Sequence, residues 1–421
     1  MSEVKSFDTK KKPKKPHPIL MPIEWGGTSV FSRISGGSDI EKANCEGLKP
    51  PFLVLCNHAS FIDFPMAIKA MFPYRTSWVI SIEEFIGKEW LMRGIGGIYK
   101  RKFTADMTVV RHILNALTRQ KICCTIYPEA RYSLAGINEQ IDGALGKLAK
   151  KAKVPVVVFI TKGNFIRSPQ WNKHPYRKVP IVGTFRQIVT REEVEKLPAE
   201  EIQRRIEEAF VYDDFAYVRD NKIAITCPQR AQNIHKILYQ CPVCGTEFST
   251  DSKDTKIWCS HCGAIWEMDE YCRLHRQNGP DIFTHVPDWY RWERENVRRE
   301  VCEGRYHFED VARLERLVNG KIGFSSLGEV TLTHDKNGFT MKGDILDGKF
   351  EFNRSVASMR SVHIEYDFKG RGDAIDLCTL QDTYFVFPLT ARNVLTKLHF
   401  ATEELHKLEL SEKEKEKAPV R

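Results

Sequence analysis

Two short strings, Cys241-Pro242-Val243-Cys244-Gly245 and Cys259-Ser260-His261-Cys262-Gly263, stand 14 residues apart and limit what this 421-residue chain can fold into more than any other feature. Two Cys-x-x-Cys-Gly knuckles at that spacing present four thiolates to one tetrahedral ion, and the glycine after each lets the chain turn its amides toward the sulfurs. Cys241, Cys244, Cys259 and Cys262 are expected to hold a structural zinc. Redox pairs and disulfides are the other readings, but a closed four-cysteine set leaves no open coordination position for chemistry. The surrounding segment, 236–275, is too small to bury a core of its own. Metal binding, on the order of 10 to 16 kcal/mol in zinc-finger peptides, is expected to supply its fold. The chain is longer than one average domain, and two to four are expected.

Upstream, residues 46–230 alternate apolar runs with amphipathic stretches. Leu53 to Cys56, Trp78 to Ser81, Ile122 to Tyr127 and Val154 to Thr161 read as strands, 106–119 and 143–150 as helices, and Thr190 to Phe210 as a closing helix pair. This predicts an α/β domain, a central sheet with helices on its faces and functional residues at strand ends. One such end carries Asn57-His58-Ala59-Ser60-Phe61-Ile62-Asp63. Imidazole titrates near neutrality, so a histidine beside a carboxylate is a natural general base, with the carboxylate orienting the ring. On a continuous helix positions five apart diverge by about 140°. His58 and Asp63 can therefore meet only if the chain bends between them, where the strand ending at Cys56 enters a helix at Phe64-Pro65. Taken alone, a surface or capping pair is the better explanation of the spacing.

Asn57 to Asp63 resembles the first block of the glycerolipid acyltransferases, the family that acylates glycerol-3-phosphate and lysophosphatidate. Gly96-Gly97-Ile98-Tyr99-Lys100-Arg101 resembles the second block, Tyr127-Pro128-Glu129-Ala130-Arg131-Tyr132-Ser133 the third, and Val154-Pro155-Val156-Val157-Val158 the fourth, in family order. The resemblance implies acyl transfer from acyl-CoA or acyl carrier protein to the free hydroxyl of a lysophospholipid, 1-acyl-glycerol-3-phosphate to phosphatidate, without an acyl-enzyme. It makes His58 the base and Asp63 its orienter, with Asn57 and Ser60 as support. It gives Arg101 and Arg131 the substrate phosphate, and Glu129 the glycerol or an arginine, unless Glu129 is a structural turn carboxylate. Three departures bear on these roles. Arg131 sits one residue early behind Ala130 in place of glycine, the spacing to Arg101 is one short so that Lys100 or Lys102 could serve instead, and the family's N-terminal pair of apolar helices is missing. Another lysolipid or headgroup acceptor is an alternative reading. So is an inactive zinc-ribbon platform, although the intact His58 and Asp63 speak for activity.

A net charge of +9 suits anionic lipid or phosphorylated substrate, and no nucleic acid is expected as a partner. No apolar stretch approaches the roughly 20 residues of a spanning helix, and the start lacks the apolar core of a signal peptide. The expectation is a cytoplasmic protein, peripheral on the cytosolic membrane face. Two features are candidates for that contact: a flexible basic arm within 1–45 holding Lys10, Lys11, Lys12, Lys14 and Lys15, whose other reading is a solvated tail, and the interleaved aromatic and cationic loop 165–178 with Phe165, Trp171 and Tyr176, whose equal alternative is a loop folded onto its own domain. Beyond the zinc ribbon, a charged helical linker at 281–303 precedes alternating strands and a helix at 304–410. That element order resembles pleckstrin-homology-like domains. A disordered tail is expected over 411–421.

Overall fold

In the computed structural model, residues 7–34, 37–172, 177–346 and 348–417 are described. The first half is built on a seven-stranded mixed sheet of β1 (Ser38–Ala43), β2 (Leu53–Cys56), β3 (Thr76–Ser81), β4 (Gly97–Lys100), β5 (Cys123–Ile126), β6 (Val156–Lys162) and β7 (Ile181–Val189), in the order β1-β7-β6-β2-β5-β3-β4. All neighbours run parallel except β6 and β7. Its helices are α1 (Leu20–Ile34), α2 (Asp63–Met71), α3 (Glu89–Gly94), α4 (Met107–Leu114), α5 (Leu145–Ala152), α6 (Asn164–Arg167), α7 (Arg191–Lys196), α8 (Ala199–Ala209) and α9 (Asp214–Asp220). Successive strand residues point to opposite faces, and both faces are covered. Leu53, Leu55, Cys124, Val156 and Val158 pack with Val109, Ile113, Leu145, Ala149, Ile202 and Ile206. Val54, Cys56, Cys123, Val157 and Phe159 pack with Met66, Ala67, Ala70 and Met71 of α2. The adjacent thiols of Cys123 and Cys124 thereby fall on opposite sides of the sheet, and both are free.

Two antiparallel sheets follow. The smaller joins β8 (Thr250–Lys253), β9 (Lys256–Cys259), β10 (Ile265–Met268) and β11 (Leu274–Arg276) and is followed by α10 (Val286–Cys302). The larger contains β12 (Phe308–Asn319), β13 (Gly323–Asp335), β14 (Gly338–Ile345), β15 (Gly348–Arg354), β16 (His363–Glu365), β17 (Ala374–Cys378) and β18 (Thr383–Pro388), with α11 (Leu395–Lys417) after it. One apolar cluster runs without interruption through Ala59, Leu134, Phe165, Trp266, Trp289, Leu314, Ile375 and Leu398. The sheets therefore share a core. The four-cysteine segment, expected to be too small for one, buries Ile257, Trp266 and Met268 in it.

Strand β12 has no counterpart in the sequence reading. Its inward positions carry charges that break the period-2 pattern. Asp310 is buried because it accepts the Thr390 and Ala391 amides, and Glu315 because it pairs with Arg313 and Arg371. A register shift between Leu314 and Glu315 turns both inward.

The loop after β6 decides between its two readings, against lipid contact. Phe165 and Trp171 are buried in the shared core, the Trp171 indole donates to the Leu134 carbonyl at 3.1 Å, and Arg167 and Arg177 are buried too. Aromatic and cationic residues interleave there because the loop folds onto its own protein rather than onto lipid. Tyr176 lies outside the described residues. The basic arm is not a flexible tract from residue 7 onward. His112 contacts the Thr9 carbonyl at 3.2 Å, Arg93 donates to the Asp8 carbonyl at 3.2 Å and Gln120 to the Pro13 carbonyl at 3.1 Å. Pro13 and Pro16 are buried while Lys10, Lys11, Lys12, Lys14 and Lys15 stay exposed. At the other end α11 continues through Ser411 to Lys417, so the expected disordered tail is helical that far. Within it, Lys413 pairs with Glu409 four residues back. Among the described residues no helix is long and apolar enough to cross a membrane.

Candidate active site

Strand β2 ends at Cys56 and α2 begins at Asp63, so residues 57–62 form the bend the dyad needs. The bend is wrapped around one carboxylate. Asp63 Oδ2 accepts the Ala59 amide at 2.5 Å and the Ser60 amide at 2.8 Å, and lies 3.1 Å from His58 Nδ1. Asn164 Nδ2 donates to Oδ1 at 2.5 Å. With both oxygens held, the carboxylate cannot rotate, and an Nδ1–H donated to it leaves the Nε2 lone pair as the base. Among the described residues Nε2 makes no hydrogen bond. The ring lies between Tyr127 and Tyr132, with centroids at 4.2 and 4.3 Å, and its side chain is 21% exposed against 2% for Asp63. A fixed imidazole with one open nitrogen can take a proton from a bound hydroxyl.

Asn57 ties this bend to β6 rather than to a ligand. It donates to the Thr161 carbonyl and accepts the Thr161 amide, both at 2.9 Å. Ser60 Oγ accepts the Ile62 amide at 3.3 Å. Glu129 is wholly buried and accepts three hydrogen bonds: the His58 amide at 2.8 Å, the Glu139 amide at 2.9 Å and the Tyr212 hydroxyl at 2.8 Å. Burial pushes its carboxyl up to about 8 despite these donors. Through the first of these bonds it fastens the histidine's backbone.

Arg131 does not join the dyad. Its guanidinium is buried, pairs with Glu139 and Glu403 at 3.0 Å each, and lies 2.8 Å from His399 Nε2. Arg294 of α10 pairs with the same two carboxylates. Burial opposes the charge on Arg131, but the carboxylates outweigh it and hold the guanidinium above its ordinary value. Moved one residue early, the arginine has become a strut between the 127–139 segment, α10 and α11. Arg131→Ala should therefore lower stability by about 3 to 5 kcal/mol, because it leaves the buried Glu139 and Glu403 with Arg294 as their one shared arginine. Urea unfolding checks this, and a loss under 1 kcal/mol would contradict it.

Arg101 is buried at the end of β4, where Nη1 donates to the Leu380 carbonyl at 3.2 Å. Lys102 is spoken for, lying 3.4 Å from Asp376 and 3.9 Å from both Glu83 and Glu365. Lys100 instead donates to the Thr104 carbonyl. Asn164, Tyr132 and Tyr212 carry no role in the sequence reading. Tyr132 lay inside a string already singled out, whereas nothing in the sequence marks Asn164 or Tyr212.

The four knuckle cysteines meet. Cys241 and Cys262 Sγ are 3.7 Å apart, Cys244 and Cys259 Sγ 3.8 Å, and all four sulfurs lie within 4.8 Å of one another. A tetrahedron with metal–sulfur arms of about 2.3 Å has edges of about 3.8 Å, so the set fits a zinc ion. Gly245 and Gly263 have φ of +75° and +73°, a conformation glycine adopts without strain.

Residues 33–162 match the family model described as Acyltransferase, a span that contains the dyad and all four motif strings. Among solved structures the chain is similar to the 1-acyl-sn-glycerophosphate (LPA) acyltransferase, PlsC, from Thermotoga maritima. That likeness is at 17% identity over 45% of this chain and 76% of that one, with a TM-score of 0.36. No curated protein sequence matches.

Proposed function

We propose that the acyltransferase domain matched at residues 33–162 esterifies the free glycerol hydroxyl of a lysophospholipid, with 1-acyl-glycerol-3-phosphate as acceptor and acyl-CoA or acyl carrier protein as donor. The observation that carries this is the His58 and Asp63 pair at the head of α2, with Nδ1 committed and Nε2 open. As the acceptor hydroxyl attacks the thioester carbonyl, His58 Nε2 takes its proton. The tetrahedral adduct collapses, the carbon–sulfur bond breaks, and the proton passes to the leaving thiolate. The products are the ester and the free thiol. Asp63 holds the ring and stabilises the imidazolium, and Arg101 supplies charge for the phosphate. Product analysis over a panel of lysolipids with both donor types tests the assignment. A strong preference for another acceptor would replace 1-acyl-glycerol-3-phosphate, and no transfer to any acceptor would favour the platform reading.

The four thiolates support a structural zinc in a ribbon, and the antiparallel sheet with α11 supports a pleckstrin-homology-like unit over 304–410. Membrane attachment in this reading rests on the exposed lysines of the arm beside the exposed apolar residues Ile19, Ile23, Trp25, Val30, Phe61 and Trp90. Phe61 lies in the bend that carries His58, which would bring the lipid surface to the base. Exposed charges are screened within about 8 Å at physiological ionic strength. Binding to anionic vesicles should therefore weaken with salt and when the five lysines become serine, while Trp90→Ser reduces the part that survives salt. Sedimentation showing equal binding to neutral and anionic vesicles, indifferent to both changes, would refute this attachment.

A further inference from the structure

One oxygen of Asp63 is offered more donors than it can take. The Ala59 amide, the Ser60 amide and His58 Nδ1 all converge on Oδ2, and an oxygen has two lone pairs to give them. Which donor keeps a straight bond depends on the plane of the carboxylate. That plane is set at Oδ1, whose one hydrogen-bond donor among the described residues is Asn164 Nδ2, at 2.5 Å.

The Asn164 amide can face Asp63 in one way only. An ionised carboxylate accepts and does not donate, so the NH2 group must point at it. The second N–H goes to Thr161 Oγ1 at 2.8 Å, and that hydroxyl spends its own proton on Asn57 Oδ1 at 3.0 Å. Turning the amide over would lose both bonds. The arrangement has a cost, because Asn164 is wholly buried and its own Oδ1 has no hydrogen-bond partner. A buried amide kept for stability alone would satisfy both of its ends. This one leaves its acceptor unpaired and aims its donors at Asp63.

A second buried aspartate holds Asn164 in place. Asp214, the first residue of α9, accepts the Gly163 amide at 3.0 Å and the Phe165 amide at 2.8 Å through Oδ2. The residues on either side of Asn164 are thus tied to one oxygen. Asp214 is fixed in turn: its amide donates to the Gly136 carbonyl at 2.8 Å, and beside it Asp213 accepts the Ala216 amide at 2.8 Å and lies 2.9 Å from His285 Nε2. Burial pushes the Asp214 carboxyl up to about 7 against its two amides, and the charge of Asp63 adds to the rise. What Asp214 supplies to the turn is an acceptor oxygen rather than a charge.

We propose that Asn164, held by Asp214, is the positioning residue of the His58 and Asp63 pair: it sets the plane of the Asp63 carboxylate and so keeps the imidazole proton on Nδ1. When the carboxylate turns, Oδ2 leaves the line of Nδ1–H. The proton is then free to sit on Nε2 and block the nitrogen that takes the acceptor's proton. The effect on the tautomer rests on this geometry alone, and the effect on turnover rests on the acyl-transfer reading as well.

The test uses the full chain, native and with Asn164→Ala, Asp214→Ala and Asp214→Asn, and reads both the tautomer and the kinetics. Nitrogen NMR of isotope-labelled histidine identifies His58 among the 13 histidines by the signal that His58→Ala removes. At a pH where the ring is neutral, the native protein should carry the proton on Nδ1. Asn164→Ala should move it toward Nε2, and kcat should fall about tenfold or more, the usual effect of losing a hydrogen bond to a charged group, while KM for acceptor and thioester holds. Asp214→Ala should act in the same way, and Asp214→Asn, which still offers an oxygen to the two amides, should restore most of both readouts. A proton that stays on Nδ1 in both alanine variants would overturn the positioning role, whatever kcat does, and so would a rise in KM at unchanged kcat. Should Asn164→Ala fail to fold, the Asp214 variants decide: equal tautomer shifts in Asp214→Ala and Asp214→Asn would overturn the role of the acceptor oxygen. If no lysolipid is acylated but the proton moves as expected, the positioning stands and the acyl-transfer reading falls.

Discussion

Replacing His58 with alanine is expected to lower turnover by about 10²- to 10⁴-fold, the range that a positioned general base contributes, while unfolding free energy changes by about 1 kcal/mol or less. The two effects separate because the imidazole is partly exposed and its single hydrogen bond goes to a carboxylate that keeps its other donors. Asp63→Asn should behave differently. The amide offers one acceptor oxygen to four donors, so buried N–H groups are left unpaired at about 1 to 3 kcal/mol each, and the ring loses the partner that fixes its tautomer. The variant should lose activity and stability together. Steady-state kinetics beside urea unfolding distinguishes the two patterns. A His58→Ala protein with near-normal turnover would remove the base from the mechanism.

Zinc should have the second large effect. One ion per chain is expected by elemental analysis of protein made with zinc present, and Cys259→Ser or exhaustive chelation should lower the melting temperature sharply. Binding worth on the order of 10 kcal/mol in isolated zinc peptides exceeds the roughly 5 to 15 kcal/mol stability of a typical domain at its lower end. Trp266 of β10 packs on Trp289 at a centroid distance of 4.9 Å, in a cluster that also holds Ala59 of the bend between His58 and Asp63 and Phe165. Loss of the ion should therefore reach the active site, and activity should fall along with the ribbon. Metal-free protein with an unchanged melting temperature would contradict a structural role.

What could be read from sequence follows how locally each feature is encoded. The strand into Cys56, the bend and α2 were legible because an apolar run and a proline in the first helical turn mark them without outside help. The alternation around β5, β6 and α4 was legible for the same reason. Strand β12 was not, since Asp310 inside rests on Thr390 and Ala391 and Glu315 on Arg371 as well as its neighbour Arg313, partners mostly far along the chain. The sequence leaves Phe165 and Trp171 between lipid and core because a ring suits a membrane interface and a core equally, and only the fold supplies Leu134 as the indole's acceptor. Arg131 kept a family-like string but turned to Glu403, 272 residues away. Asn164, which holds Asp63, has no motif of its own to mark it.

The most direct test is thiol release from acyl-CoA and from acyl carrier protein thioester, followed with and without 1-acyl-glycerol-3-phosphate in the native protein and in His58→Ala. The predicted result is release from at least one donor that requires the acceptor, matches phosphatidate formed mole for mole, shows no burst before acceptor is added, and is all but lost in the variant. A stoichiometric burst without acceptor, or equal release from both proteins, would contradict direct transfer by the His58 and Asp63 pair.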